Sequence, residues 1–162
     1  AHKALIELED NHDVVVITQN VDNLHERAGS SNIVHLHGEL NKVRCTKYNN
    51  DVILWTEDLY TGDLSSAGYQ LRPHIVWFGE DVPMLNTAVG EMRDADIAII
   101  IGTSLQVYPA ASLIGFVPDN CNVYYVDPKP HMSWELKQRK NLEVIEKNAG
   151  IGVVKLVDEI LL

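Results

Sequence analysis

Short, continuous apolar runs, each stopping at glycine or a polar cluster, constrain this chain more than any other feature. Val14-Val15-Val16-Ile17-Thr18 is β-branched throughout and stops at Gln19-Asn20-Val21-Asp22-Asn23. Ile33 to His37 stops at Gly38, Ile75 to Phe78 at Gly79-Glu80, and Val123 to Val126 at Asp127-Pro128. Ile97 to Ile101, the most apolar, runs into Gly102-Thr103-Ser104, and Val153 to Leu156 makes a sixth run. Runs this short and this branched read as strands buried on both faces. Helical patterns lie between them at Met84 to Arg93, Ala110 to Phe116, Ser133 to Arg139 and Val157 to Leu162. The chain opens on another helix, with Ala4, Leu5, Leu8 and Val14 on its apolar side. The expectation is an α/β fold, a parallel sheet covered by helices on both faces. Such sheets bind ligands at the carboxyl ends of their strands, where these polar clusters sit.

Composition narrows the class. The 162 residues are 46% apolar, enough for one domain with a real core. A net charge of −10 argues against a protein that grips nucleic-acid phosphates. No apolar run approaches the roughly 18 residues of a membrane helix. The two cysteines, Cys45 and Cys121, cannot form a disulfide framework, which fits a reducing, cytoplasmic setting. The stretch from Arg44 to Arg72 is polar, carries Tyr48, Trp55, Tyr60 and Tyr69, and reads as a small inserted module. The expected organisation is therefore one sheet domain from residues 1–43 and 73–162, interrupted by a module at 44–72.

Four clusters could carry chemistry. Gly102-Thr103-Ser104, between a buried strand and a helix, can offer amides and hydroxyls to phosphate or ribose. Asp127 ends the next strand, where an acid can meet ribose hydroxyls. A hydroxyl-rich turn with an Asp cap is the alternative. Gln19, Asn20 and Asp22 could orient a polar ring and a sugar, or simply form an Asx-rich turn capping a helix near Asn23. Strand alternation puts His35 and His37 on one face, and His37, beside Gly38, is placed for general base work near neutral pH. Val76 to Glu80 could take up an extended peptide as an added strand, or be an ordinary core strand.

Taken together, T-Q-N-V-D-N-L-H-x-x-A-G, L-H-G, R-P-x-I-V-W-F-G-E and I-G-T-S-L-x-V-x-P-A-A resemble the sirtuins, NAD-dependent protein-lysine deacylases, and most of all their bacterial CobB-type branch. The resemblance spans nearly the whole chain. It implies a Rossmann-like sheet, NAD as cofactor and an acyl-lysine protein or peptide as partner. It makes His37 the base acting on the NAD ribose, and Gln19, Asn20 and Asp22 the lining of the nicotinamide and ribose pocket. Gly102, Thr103 and Ser104 would contact the phosphates and adenine ribose, and Asp127 stands where the family usually has asparagine. Ala149, Gly150 and Ile151 would lie by the adenine. Val76, Trp77, Phe78, Gly79 and Glu80, with Val107 and Tyr108, would hold the acyl-lysine peptide. The implied reaction transfers the acyl group to ADP-ribose and releases nicotinamide.

Two departures from the family follow. Sirtuins usually hold zinc with two C-x-x-C pairs, whereas residues 44–72 contain Cys45 and neither a second cysteine nor a histidine. Tetrahedral zinc takes four such ligands, so no metal is expected, and the four aromatics are expected to pack together instead. The family's first strand, central in its sheet, and its G-A-G-I-S type loop have no counterpart. The expectation is a chain lacking that N-terminal segment and inactive alone. The alternatives are a non-catalytic remnant that binds acyl-lysine peptide or ADP-ribose, and an ADP-ribosyl transferase using the same site.

Overall fold

In the computed structural model, residues 1–161 are described, with side chains through 159. Among the described residues, eight strands form three sheets. β1 (Val16–Thr18) pairs in parallel with β2 (Ile33–His35). β6 (Ile97–Ile101), β7 (Asn122–Val126) and β8 (Leu142–Ile145) form a second parallel sheet in the order 6-7-8. β3 (Gly38–Cys45) lies between β4 (Val52–Leu54) and β5 (Leu71–Ile75) in an antiparallel sheet.

The pleat of β6 explains the double covering. Ala98 and Ile100 pack with Ile114, Val117, Val123, Tyr125 and Leu136 on one face. Ile99 and Ile101 point the other way, against Leu5, Leu8, Val153, Leu156 and Val157. The helices involved are α1 (His2–Glu7), α4 (Trp134–Gln138) and α5 (Ala149–Leu156). Around β1 and β2, Val34 and Leu36 meet Ala88 of α3 (Leu85–Arg93) and Leu113 of the 3-10 segment Ala110–Phe116. Met92 of α3 touches both this cluster and the one under β6. The two parallel sheets thus share a helical layer. Among the described residues, β1 and β6 each have a strand neighbour on one side only.

Three sequence expectations need correction. Val153 to Leu156 is helical, inside α5, and the strand in that region is β8. Asn148 caps α5, its side chain accepting from the Ile151 amide at 3.2 Å, and Val153, Leu156 and Val157 fall at helical spacing on one buried face. The strand expected at Ile75 to Phe78 lies instead at Leu71–Ile75, antiparallel to β3. It stops because Glu80 folds back onto the Trp77 amide at 3.1 Å. The strand expected to reach His37 stops at His35, and His37 occupies the turn into β3. A closing π-helical turn spans Val157–Leu161, and Leu162 lies outside the described residues.

Candidate functional site

Every proposed site cluster lies at or beyond the carboxyl end of a strand. His37 follows β2, Gln19 and Asn20 follow β1, Gly102 follows β6, Asp127 follows β7, and Ala149 to Ile151 start the helix after β8. Val34 and Leu36 are buried, which leaves His35 and His37 on the half-buried side. His37 Nδ1 lies 3.1 Å from the Gln19 carbonyl. A carbonyl only accepts, so Nδ1 carries a proton, and in the neutral ring the lone pair is then on Nε2, the arrangement a base requires. His35 is engaged differently. Its Nε2 sits 2.6 Å from Glu26 Oε1, tying β2 to α2 (Leu24–Ala28). Burial works against the charged form of Glu26, but the bond to His35, a backbone hydrogen bond and the neighbouring imidazoles of His35 and His25 together outweigh it and hold the carboxyl below its ordinary range.

Asn20 and Asp22 are exposed. The Asn20 amide donates to Thr18 Oγ1 at 3.0 Å, and the Leu24 amide to Asp22 Oδ1 at 3.0 Å. The Asx turn considered from sequence is therefore present, formed by one of the two Asp22 carboxylate oxygens. Beside it opens a cleft of about 420 Å³, lined by Val21, Asp22, Asn23, Leu40, Trp55 and Glu57 among others. Sequence reasoning nominated neither Leu40 nor Trp55. They arrive through the pairing of β3 with β4, for which the alternation of Val43-Arg44-Cys45 was the faint signal.

At the second parallel sheet the chain turns sharply. Gly102 has φ +59° and Leu105 +53°, the left-handed region that a branched apolar residue enters only when its packing compensates. Leu105 packs against the core under β6. Thr103 Oγ1 accepts from the Leu105 amide at 3.2 Å, and Ser104 is exposed. Asp127 Oδ1 accepts from the Lys129 amide at 2.7 Å. One side chain ties these loops together. Tyr125, fully buried, donates its hydroxyl to the Thr103 carbonyl at 2.7 Å and accepts from the His131 amide at 3.1 Å. Burial pushes its phenol pKa up, so it stays protonated. Tyr125→Phe is expected to lower stability by about 1–2 kcal/mol, for two lost hydrogen bonds, and to weaken ADP-ribose binding several-fold. Thermal melts and calorimetric titration would measure both.

Val76 to Glu80 leaves β5 as a tight turn. The Val76 amide donates to the His37 carbonyl at 2.9 Å, so the segment starts against His37. Trp77 is 56% exposed and Phe78 99%. Val107 and Tyr108 are also exposed, and no described hydrogen bond joins them to Trp77 or Phe78. The Glu80 carboxylate accepts from Arg72 at 2.6 Å, from Arg44 at 3.2 Å and from the Trp77 amide at 3.1 Å. The Arg72 hydrogen bond, then that of the Trp77 amide, holds its pKa at about 2 against an ordinary 4.5. Because the folded-state pKa is the lower one, this contribution to stability is complete above about pH 4.5. It is lost as pH falls towards 2. Melts between pH 5 and 2 should show a steeper loss for the native chain than for Glu80→Gln.

The chain as a whole is similar to known proteins. A model of the Sir2 family matches residues 1–109. A Helicobacter pylori (strain J99) protein named NAD-dependent protein deacylase is 50% identical over 161 residues, 99% of this chain and 68% of its own length. The chain belongs to the Sir2 family. A Bacteroides thetaiotaomicron relative of the same name is 52% identical over 96% of this chain. A solved Sir2 homologue in complex with NAD superposes with a TM-score of 0.82 at 38% identity, over 96% of this chain and 62% of that one. Another, solved with ADP-ribose, gives 0.82 at 37% identity, over 96% of this chain and 64% of that one. The chain thus spans about two-thirds of the length of these relatives, and its sheets are those of the Sir2 α/β fold.

The zinc that the sirtuin resemblance implies does not fit these residues. Cys45 is fully buried, and its Sγ accepts from Ser65 Oγ at 3.4 Å inside the antiparallel sheet's loops. Among the described residues, the one cluster with metal-ligand spacing is Glu26, His35 and Glu39, elsewhere in this Sir2 chain. Loop 60–71 is held by Gln70 instead. Its Nε2 reaches the carbonyls of Tyr60, Asp63 and Leu71, and its Oε1 accepts from the Gly62 amide. The four aromatics do not form the single cluster expected. Tyr48 and Tyr69 meet edge to face at 5.7 Å with Lys47 over Tyr69, whereas Trp55 and Tyr60 bond to Asp58.

Proposed function

We propose that this chain carries the base, the cofactor-facing loops and the substrate turn of an NAD-dependent protein-lysine deacylase. One observation supports it most: His37 presents a free Nε2 at the sheet's carboxyl edge, its tautomer set by Gln19. NAD, when bound, supplies a ribose carbon bearing a leaving group and hydroxyls that can receive the acyl group. His37 takes a proton from a ribose hydroxyl at Nε2. Gln19, Asn20 and Asp22 line the nicotinamide and ribose end. Gly102, where the space around the α-carbon is open, lets phosphate oxygens approach the backbone beside Thr103 and Ser104. Asp127 faces the adenine ribose, and Ala149, Gly150 and Ile151 the adenine. Val76 to Gly79, with Val107 and Tyr108, align an acyl-lysine peptide. A Sir2 protein solved together with a p53 peptide and NAD+ supports a peptide as the partner.

In this reading, residues 1–43 and 73–162 act as the dinucleotide-binding domain and 44–72 as a module beside it. The partner is a protein in the cytoplasm. No described helix is long and apolar enough to cross a membrane. The one-sided pairing of β1 and β6 favours a second reading, a remnant that binds peptide or ADP-ribose without turnover.

Calorimetric titration of the chain with ADP-ribose and with an acetyl-lysine peptide tests binding. Nicotinamide release from NAD, using protein expressed from the complete reading frame, tests turnover. Binding with peptide-dependent release is expected. Binding without release selects the remnant, and absence of both binding events overturns the proposal.

A further inference from the structure

The turn Val76 to Glu80 must present Trp77 and Phe78 to a peptide, yet neither side chain is packed well enough to fix it. What fixes it is one carboxylate. Glu80 receives the Trp77 amide of its own turn, two bonds from Arg72 of β5 and one from Arg44 of β3. Arg72 also donates to the Ile75 carbonyl at 3.3 Å, at the point where the chain leaves β5. Arg44 is 11% exposed on its side chain, so losing Glu80 would leave a nearly buried guanidinium without this anion. Charge-assisted, partly shielded bonds of this kind are among the stronger in proteins. Both arginines belong to the antiparallel sheet, and the Val76 amide is meanwhile held by the His37 carbonyl. The turn is therefore fastened at one end to the base and at the other to the sheet carrying the module.

We infer that Glu80 is a positioning residue whose carboxylate fastens the substrate turn to β3 and β5, so that the small sheet sets the affinity for acyl-lysine peptide. The substrate half of this rests on the deacylase reading. The fastening half rests on the geometry alone. It also gives the module a task other than holding metal: it is the frame on which the peptide-facing turn is stretched.

The test compares the native chain with Glu80→Gln and Arg72→Met. Amide hydrogen exchange at Trp77 is expected to quicken at least ~10-fold in Glu80→Gln, since that amide loses a charged acceptor. Exchange at Leu71 within β5 should stay unchanged. Affinity for an acetyl-lysine peptide should fall ~5- to 20-fold in both variants, with ADP-ribose affinity unchanged within about twofold. The double variant should be no worse than the weaker single one, because both remove the same link. Unaltered Trp77 exchange in Glu80→Gln overturns the fastening role whatever the peptide does. Quickened exchange with undiminished peptide affinity overturns the link to substrate. Failure of the native chain to bind both peptide and ADP-ribose defeats the deacylase reading, and the exchange comparison still decides the fastening.

Discussion

Alanine at position 37 is expected to lower NAD-dependent deacylation by ~10²- to 10⁴-fold, the usual worth of a positioned general base. The fold should survive. His37 is half-buried in a turn, and the one hydrogen bond described for its side chain, to the Gln19 carbonyl, is worth about 1 kcal/mol. Binding of ADP-ribose should weaken less than tenfold, because the loops proposed for adenine and phosphate belong to the other parallel sheet. Single-turnover nicotinamide release beside an ADP-ribose titration separates the two effects. Normal turnover in His37→Ala would remove the base from the mechanism. A second imidazole nearby does not rescue the variant, since Nε2 of His35 is already committed to Glu26 at 2.6 Å.

Gly38→Ala should damage both fold and site. Gly38 sits at φ +83°, and a Cβ there would overlap the carbonyl oxygen of His74. The obstacle is backbone on the paired strand, since Gly38 is opposite Ile75 in the ladder between β3 and β5, so no side chain can rotate away. Left-handed strain costs about 1–2 kcal/mol for a residue with a Cβ, and forced separation of packed elements a further ~1–3 kcal/mol. The expected loss is about 3–4 kcal/mol, or ~10 °C in melting temperature for a chain of this size. Moving β5 from β3 also drags the Val76 amide off the His37 carbonyl, so peptide affinity should fall together with stability. A melting temperature within about 2 °C of native would show that the two strands can part cheaply.

The titration of the histidines adds a milder pH effect. Burial lowers the pKa of both His25 and His74. Each must be charged at a cost in the folded state, so stability falls as pH drops below about 6.5, before Glu80 starts to titrate.

Legibility in the sequence depended on how local each cause was. β6 was readable because five consecutive apolar residues, Ile97 to Ile101, satisfy a strand buried on both faces. The carboxyl-end clusters were readable because glycine and polar residues stop such runs. Val153 to Leu156 misled because a four-residue apolar run has no period of its own. The Asn148 cap and the buried spacing of Val153, Leu156 and Val157 decide for helix. The Trp77 turn misled for another reason. Val76-Trp77-Phe78 has every preference of a strand, and a charge at Glu80 reaching two arginines on two strands overrides it.

The sequence by itself determined the alternation of strands and helices, the family, and which loops would gather at the carboxyl edge. Those follow from burial and from local backbone chemistry, which short runs of residues already encode. Tertiary structure alone decided that His37 bonds through Nδ1 to the Gln19 carbonyl while Nε2 of His35 is taken by Glu26. Only it showed that Tyr125 ties the Thr103 loop to His131, and that Glu80 is turned towards Arg44 and Arg72. Each of these depends on partners up to 36 residues apart in the chain, and a spacing in sequence carries no record of which side chain will arrive within 3 Å of which.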